Sequence, residues 1–239
     1  MDNSRLILSE ASYAASGLYV MPVSDGITYF NFFGAEEVLR RNLAGGPAPA
    51  LTGTPEHGPG FTTFRNGSAF LEAEVTLGAA FTLFAAVRAP AENVLGHIIG
   101  TFGQGATLGR GTSIFASASA TSRVLQATTT ADDDGSPVPV GPVSAGANIA
   151  GTWLFAALTV SASEMVLRNL TTGTSASAPI TDPLAITAQR LRIGASHSGA
   201  ASSMDLAAAG SADRVLTPAE LDAFHARVIA RLGRFGIAI

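Results

Sequence analysis

The stretch "LTPAELDAFHARVIARLG", residues 216–233, decides how the rest of the chain is read. It carries a complete helix start. Thr217 can cap a free N–H of the first turn, Pro218 stands where a missing N–H costs nothing, and Glu220 completes an S/T-x-x-E box. Leu221, Phe224, Val228 and Leu232 follow at helical spacing, Arg227, Arg231 and Arg234 gather toward the negative end of the helix dipole, and Gly233 offers a stop. The pattern predicts a helix over 217–232 with one buried face, and that face has to rest on whatever the preceding two hundred residues build.

Those residues are rich in Gly, Ala, Ser, Thr and Val, and 47% of the 239-residue chain is hydrophobic, enough for one large core. From "AFLEAEVTL" (69–77) to "SMDLAAAGSA" (203–212), short apolar segments recur between turn residues, the rhythm of an antiparallel sandwich. Asn66–Gly67 offers a tight hairpin turn. The three prolines of "TTADDDGSPVPVGPVSAG" (129–146) argue against a central strand, so this stretch is expected to be an exposed connection. The first fifty residues differ. "RLILS" (5–9) and "LYVMPV" (18–23) resemble short strands, "GITYFNFFG" (26–34) is an aromatic run, and "AEEVLRRNL" (35–43) suits one or two helical turns. "AGGPAPALTGTPEHGPG" (44–60) is a linker or a long surface loop. Two regions are expected: an N-terminal segment, 1–57, suited to assembly or anchoring, and a sandwich domain, 58–239, closed by the helix.

Composition narrows the function classes. There is no cysteine, so neither disulfides nor a thiolate metal site can hold the fold. "MDNSRLILSE" lacks the basic and then apolar run of a secretion signal, which predicts synthesis in the cytoplasm of the producing cell. No apolar run approaches the roughly 20 residues that cross a bilayer, so membrane insertion is not expected. A net charge of −4 without a basic stripe argues against nucleic acid. Charged residues make up 13% of the chain against roughly 25% in ordinary soluble domains. With a mean hydropathy of +0.32, much of the surface must be neutral, which points to coverage by copies of itself or by a larger assembly. All 14 basic residues are Arg, as codon bias and interface chemistry would each produce.

The succession "AFTLFAAVRA" (80–89), "HIIGTF" (97–102), "GTWLFAALTV" (151–160), "MVLRNLTTGT" (165–174), "LRIGAS" (191–196) and "RVLTPAELDAFH" (214–225) resembles the laminin-G-like, concanavalin-A-like jelly-roll family. The resemblance covers about residues 58–232. It implies an all-β, concanavalin-A-like jelly-roll β-sandwich with one short C-terminal α-helix packed beside it. The sequence departs from the family's acidic strand before the helix, where "SMDLAAAGSA" keeps only Asp205, and from its "NG" hairpin, which here reads "RNLTTG".

Candidate chemistry is sparse. Glycoside hydrolases of this fold use closely spaced carboxylates, and the only such pair is Glu72 and Glu74 in "LEAEV", without the third acid the family motif expects. The pair is read as a solvated strand face. His57, His97, His197 and His225 show no metal spacing and are read as ordinary surface or helix residues, and neither a metal nor a cofactor is expected. "GQGATLGRG" (103–111) lacks a phosphate-cradling ending and reads as a flexible turn. Asp132, Asp133 and Asp134 lack alternating calcium-ligand spacing. With His197 they are the residues expected to face a glycan. Trp153 is read as core packing, and Tyr29, Phe30, Phe32 and Phe33 as an assembly interface. Two function classes survive. One is a non-enzymatic virion structural or adhesion protein (phage tail fibre, tail tip or head decoration) that partners other copies of itself, virion proteins and host-surface glycan, with display on a bacterial cell surface as the alternative location. The other is a glycan-active hydrolase of the same fold.

Overall fold

The structure, a computed structural model, describes residues 21–91, 94–103, 110–118, 123–146 and 148–239. The strand expected at 5–9 and the first half of that at 18–23 lie outside these residues. Among them the chain runs through β1 (Ile27–Phe32), α1 (Glu36–Leu39), β2 (Ala50–Thr52), β3 (Glu56–Gly58), β4 (Phe61–Arg65), β5 (Phe70–Ala73), β6 (Phe81–Arg88) and β7 (Gly96–Gly100). It continues through β8 (Ser113–Ala116), β9 (Leu125–Asp133), β10 (Ser136–Ser144), β11 (Trp153–Val160), β12 (Glu164–Asn169), β13 (Thr174–Pro179), β14 (Leu191–Ile193), β15 (Ser203–Ala212) and α2 (Pro218–Leu232).

The strands form two antiparallel sheets. Sheet A has the order β13-β12-β11-β6-β15-β4-β3, with β1 also on β15, and sheet B has the order β10-β9-β8-β7-β14-β5-β2. The inward faces meet in a core that includes Leu83, Ala85, Val87, Ile99, Leu154, Leu158 and Leu206. Sheet A buries its other face too. Phe84, Ala86, Phe155 and Ala157 point away from sheet B and lie with Phe30, Leu221, Phe224 and Val228 in a second core beneath α2. The molecule is therefore three layers deep, sheet B on sheet A on helix. That is why β6 and β11 read as nearly unbroken apolar runs, where a two-layer sandwich would alternate with polar residues.

The helix sits where the sequence placed it, and its capping box is formed: Glu220 N donates to Thr217 Oγ1 at 3.3 Å, and Thr217 N donates to Glu220 Oε2 at 2.8 Å. Phe224 drives into sheet A, its ring centroid 4.6 Å from that of Phe84 and 5.2 Å from that of Phe30. Space for this packing comes from Gly210 of β15, where a Cβ would collide with the Phe84 ring.

The expected boundary at residue 57 does not exist, because it falls inside β3. β1 and β4 both lie along β15, β1 from Ala212 to Ala208 and β4 from Leu206 to Ser203. They act as one strand interrupted by an excursion over 34–60 that adds β2 to sheet B and β3 to sheet A. The excursion leaves and returns at one point: Gly34 (φ 127°) and Gly60 (φ 80°) touch backbone to backbone, with no room for a side chain on Gly34. The aromatic run assigned to an assembly interface is interior for the same reason. Tyr29 and Phe33 fill the core between the sheets, Phe30 and Phe32 the core under α2, and none is more than 5% exposed. A strand covered on both faces buries successive side chains to opposite sides.

The stretch 129–146 is likewise more than a connection. It forms most of the β9–β10 hairpin, turned by Asp134 (φ 49°) and Gly135 (φ 86°), and β10 is an edge strand on which Pro137, Pro139 and Pro142 are tolerated.

Removing the Phe224 side chain empties the wedge between α2 and sheet A, so Phe224→Ala should cost about 3–5 kcal/mol in urea unfolding. Thr217→Ala, which removes only the cap, should cost about 1 kcal/mol.

Candidate functional site

The residues expected to face a glycan are drawn to one rim of sheet B. The β9–β10 turn, the β7–β8 connection, the start of β14 and the end of β5 all lie at this end, as the antiparallel registers require. Asp133 and Asp134 project from the hairpin turn and are exposed. Asp132 turns onto its own loop, where its Oδ1 accepts from Gly135 N at 2.6 Å. Arg110, which sequence reasoning did not single out, reaches across from the β7–β8 connection and donates to Gly135 O at 3.1 Å. Gly103 N donates to Arg110 O, and His197 N to Phe102 O at 2.7 Å, so His197 is stitched to the same connection from its other side. Asp182 joins the acidic end, since the next residue, Pro183, accepts from Asp132 N.

On the other side of His197 stands a ladder of charge. Arg192 faces Glu72 across the β14–β5 pair and donates to it at 2.9 Å, and Arg190 lies 3.3 Å from Glu74. Leu71 and Ala73 of β5 point into the core, so Glu72 is turned to the outer face of sheet B. The Arg192 guanidinium also covers the Phe70 ring at 4.5 Å. His197 Nε2 donates to Arg190 O at 2.8 Å, and partial burial lowers the imidazole pKa below its ordinary value. Glu72 therefore occupies a strand face and Glu74 stands just past the end of β5, each partnered by an arginine. A separate water-sized cleft, which neither glutamate lines, opens among Thr101, Thr112, Thr129, Thr130 and Thr187 together with Leu77, Phe81, Leu184 and Ile186. Two of these hydroxyls meet directly, Thr112 Oγ1 and Thr129 Oγ1, at 2.7 Å.

Asp205 serves a different end. Arg88 donates to its Oδ2 through Nε (2.9 Å) and Nη2 (2.7 Å), and Thr63 Oγ1 donates to its Oδ1 at 2.6 Å. Arg88 lies 5.1 Å from the ring centroids of both Phe61 and Trp153. The pair ties β6 to β15 and β4, and its carboxylate is fully engaged. Trp153 is 8% exposed and packs in this cluster.

His97 departs from the surface reading. It is 2% exposed in β7, with Nδ1 2.7 Å from Ser113 Oγ and its ring among Phe102 and Phe115, and desolvation lowers its pKa to about 4. Asn66, expected only to turn a hairpin, is buried and joins the two sheets: its Nδ2 donates to His97 O at 3.1 Å and Gly194 O at 2.9 Å, and its Oδ1 accepts from His97 N.

No protein-family model and no curated protein sequence matches the chain. Solved structures match its fold. The binding domain of botulinum neurotoxin DC, in complex with rat synaptotagmin II, superposes with a TM-score of 0.63 at 10% identity, over 86% of this chain and 52% of that one. A structure of botulinum neurotoxin type C, which enters cells in dependence on interaction with two ganglioside molecules, gives the same values. A Trypanosoma rangeli sialidase in complex with a difluoro-KDN matches with a TM-score of 0.57 at 12% identity, over 84% of this chain and 32% of that one. The chain spans about half the length of the toxin domains and about a third of the sialidase. At these identities the likeness is one of fold: an all-β sandwich of two antiparallel sheets.

The buried imidazole generates a pH dependence. A histidine that titrates near 6.5 when unfolded and near 4 when folded binds its proton more readily in the unfolded chain, so stability falls as pH drops through this window. Its share of the loss, about 3 kcal/mol at most, is complete below pH 4. Partly buried His197 and His225 shift in the same direction. Urea unfolding between pH 7 and 4 should show this loss, and His97→Gln should reduce it to the part that His197 and His225 contribute.

Proposed function

We propose that the chain is a non-enzymatic, lectin-like sandwich displayed on a virion as part of a phage tail fibre, tail tip or head decoration, and that the rim of sheet B binds host-surface glycan. The observation that carries the reading is the convergence on that rim of an exposed acidic turn (Asp133, Asp134), a donating guanidinium (Arg110) and a half-buried imidazole (His197). Sugar hydroxyls both donate and accept, so carboxylates beside guanidinium and imidazole groups suit them. The match to neurotoxin structures described with gangliosides, and to a sugar-bound sialidase, supports the same class of ligand. The non-enzymatic part rests on Glu72 and Glu74, each tied to an arginine, which leaves neither as a free nucleophile with an acid partner across a scissile bond. Display in several copies accords with the 13% charged composition, and avidity multiplies weak individual sites.

The test is a glycan array followed by titration of the best soluble glycan. Asp133→Asn, Asp134→Asn and His197→Ala should each weaken binding, by about 10-fold or more where a charged hydrogen bond is lost, with melting temperature unchanged in the two exposed aspartate variants and lowered slightly in His197→Ala, which also loses the bond to Arg190 O. Undiminished binding in all three would remove the rim from consideration. No turnover of the bound glycan is expected, and turnover abolished by Glu72→Gln or Glu74→Gln would overturn the non-enzymatic reading.

A further inference from the structure

We infer that the free edge of β13 pairs with β13 of a second copy, antiparallel about a two-fold axis, which joins the two A sheets into one continuous sheet. The inference deepens the proposed multi-copy display and rests on it. An open strand edge offers unpaired N–H and C=O groups to any chain that can lie along it, and folded proteins usually blunt such edges. Among the described residues the other edges are blunted. β10 carries Pro137, Pro139 and Pro142. β2 and β3 are three residues each, too short to template a partner. The outer edge of β1 is already occupied: Leu43 N donates to Phe30 O at 2.8 Å, Asn42 Oδ1 accepts from Phe30 N, and Asn42 Nδ2 donates to Thr28 O.

β13 has none of these protections. It runs for six residues, TSASAP, with no charged side chain, and proline comes only at its last position. It pairs with β12 residue for residue from Glu164↔Pro179 to Asn169↔Thr174. Ile180 N donates to Ser163 O at 2.9 Å, and antiparallel alternation therefore seats the backbone groups of Ala178, Ala176 and Thr174 on β12. The N–H and C=O of Ser175 and Ser177 are left facing outward. A two-fold axis through Ala176 sets Ser175 of each copy opposite Ser177 of the other, so that both backbone pairs exchange hydrogen bonds. The same parity places the small alanines on the core side, where Ala176 and Ala178 already pack, and the serines on the outer face. Because the strand is uncharged, self-pairing brings no like charges together, whereas a strongly charged partner strand would find no complement there. A second copy is the occupant the strand fits best.

The test is the molar mass of the full chain by light scattering, from low to high micromolar concentration. The unmodified chain should rise from 24.2 kDa toward twice that mass. Ser177→Pro, which deletes one outward N–H as the prolines of β10 do, should hold the chain at monomer mass with an unchanged melting temperature. The double variant Ser175→Lys, Ser177→Lys, which sets like charges across the axis, should do the same without touching the backbone. A chain that stays monomeric throughout, or a dimer that survives both variants, overturns the inference. Titration with a soluble monovalent glycan reports on the rim separately. Monomeric variants should keep that affinity and lose only the gain seen on glycan-dense surfaces, so failure of the dimer and failure of the glycan reading are told apart.

Discussion

Both faces of sheet A are apolar, and the rest of the architecture answers to that constraint. A sheet with one apolar face is satisfied by a second sheet. A sheet with two needs a third layer, and in this molecule the layer is a single amphipathic helix. Its position has little freedom: the capping box fixes where it begins, Phe224 fixes its depth against Phe84, and the missing Cβ at Gly210 lets that ring lie close to the strand backbone. β1 lies under the same cover, sending Phe30 and Phe32 to the helix and Tyr29 and Phe33 to sheet B. One packing requirement thus connects the first described strand to the last helix.

Local chemistry was legible in the sequence and pairing was not. The helix, its cap, its buried face and the packing role of Trp153 follow from residues close together or from a strongly biased stretch. The sandwich class follows from the spacing of short apolar segments. The misread regions are those whose meaning depends on a distant partner. The aromatic run at 26–34 looks like an exposed anchor until β15 pairs with it and α2 lies over it. The stretch 129–146 looks like a loop because of its prolines. Asp134–Gly135 is as good a hairpin signal as Asn66–Gly67, and prolines are compatible with an edge strand.

The rim was half legible for the same reason. Asp132, Asp133, Asp134 and His197 stand out as polar residues in a neutral chain, and the structure brings their loops to one end of sheet B. Arg110, Arg190 and Arg192 were invisible, because an arginine acquires a role only when register sets a partner before it. Arg192 lies 120 positions beyond the glutamate it faces, and nothing in either local sequence announces the other. What reads as an acidic pair at Glu72 and Glu74 becomes a cross-strand ladder of compensated charge.

The three-layer arrangement also changes what the composition means. A charge content of 13% suggests a neutral surface that neighbours must cover. Much of the deficit arises inside the molecule, because the middle sheet has almost no solvent face along β6, β11 and most of β15, and positions that would be polar in a two-layer sandwich are mostly Phe, Ala or Gly. Those residues lower the charge fraction without exposing anything. The neutral area left to account for is smaller and more localised than composition implies, and the uncharged edge strand of sheet A is one of the places where it meets solvent. The argument for assembly therefore passes from bulk composition to the one long sheet edge among the described residues that carries neither prolines along its length nor a covering segment.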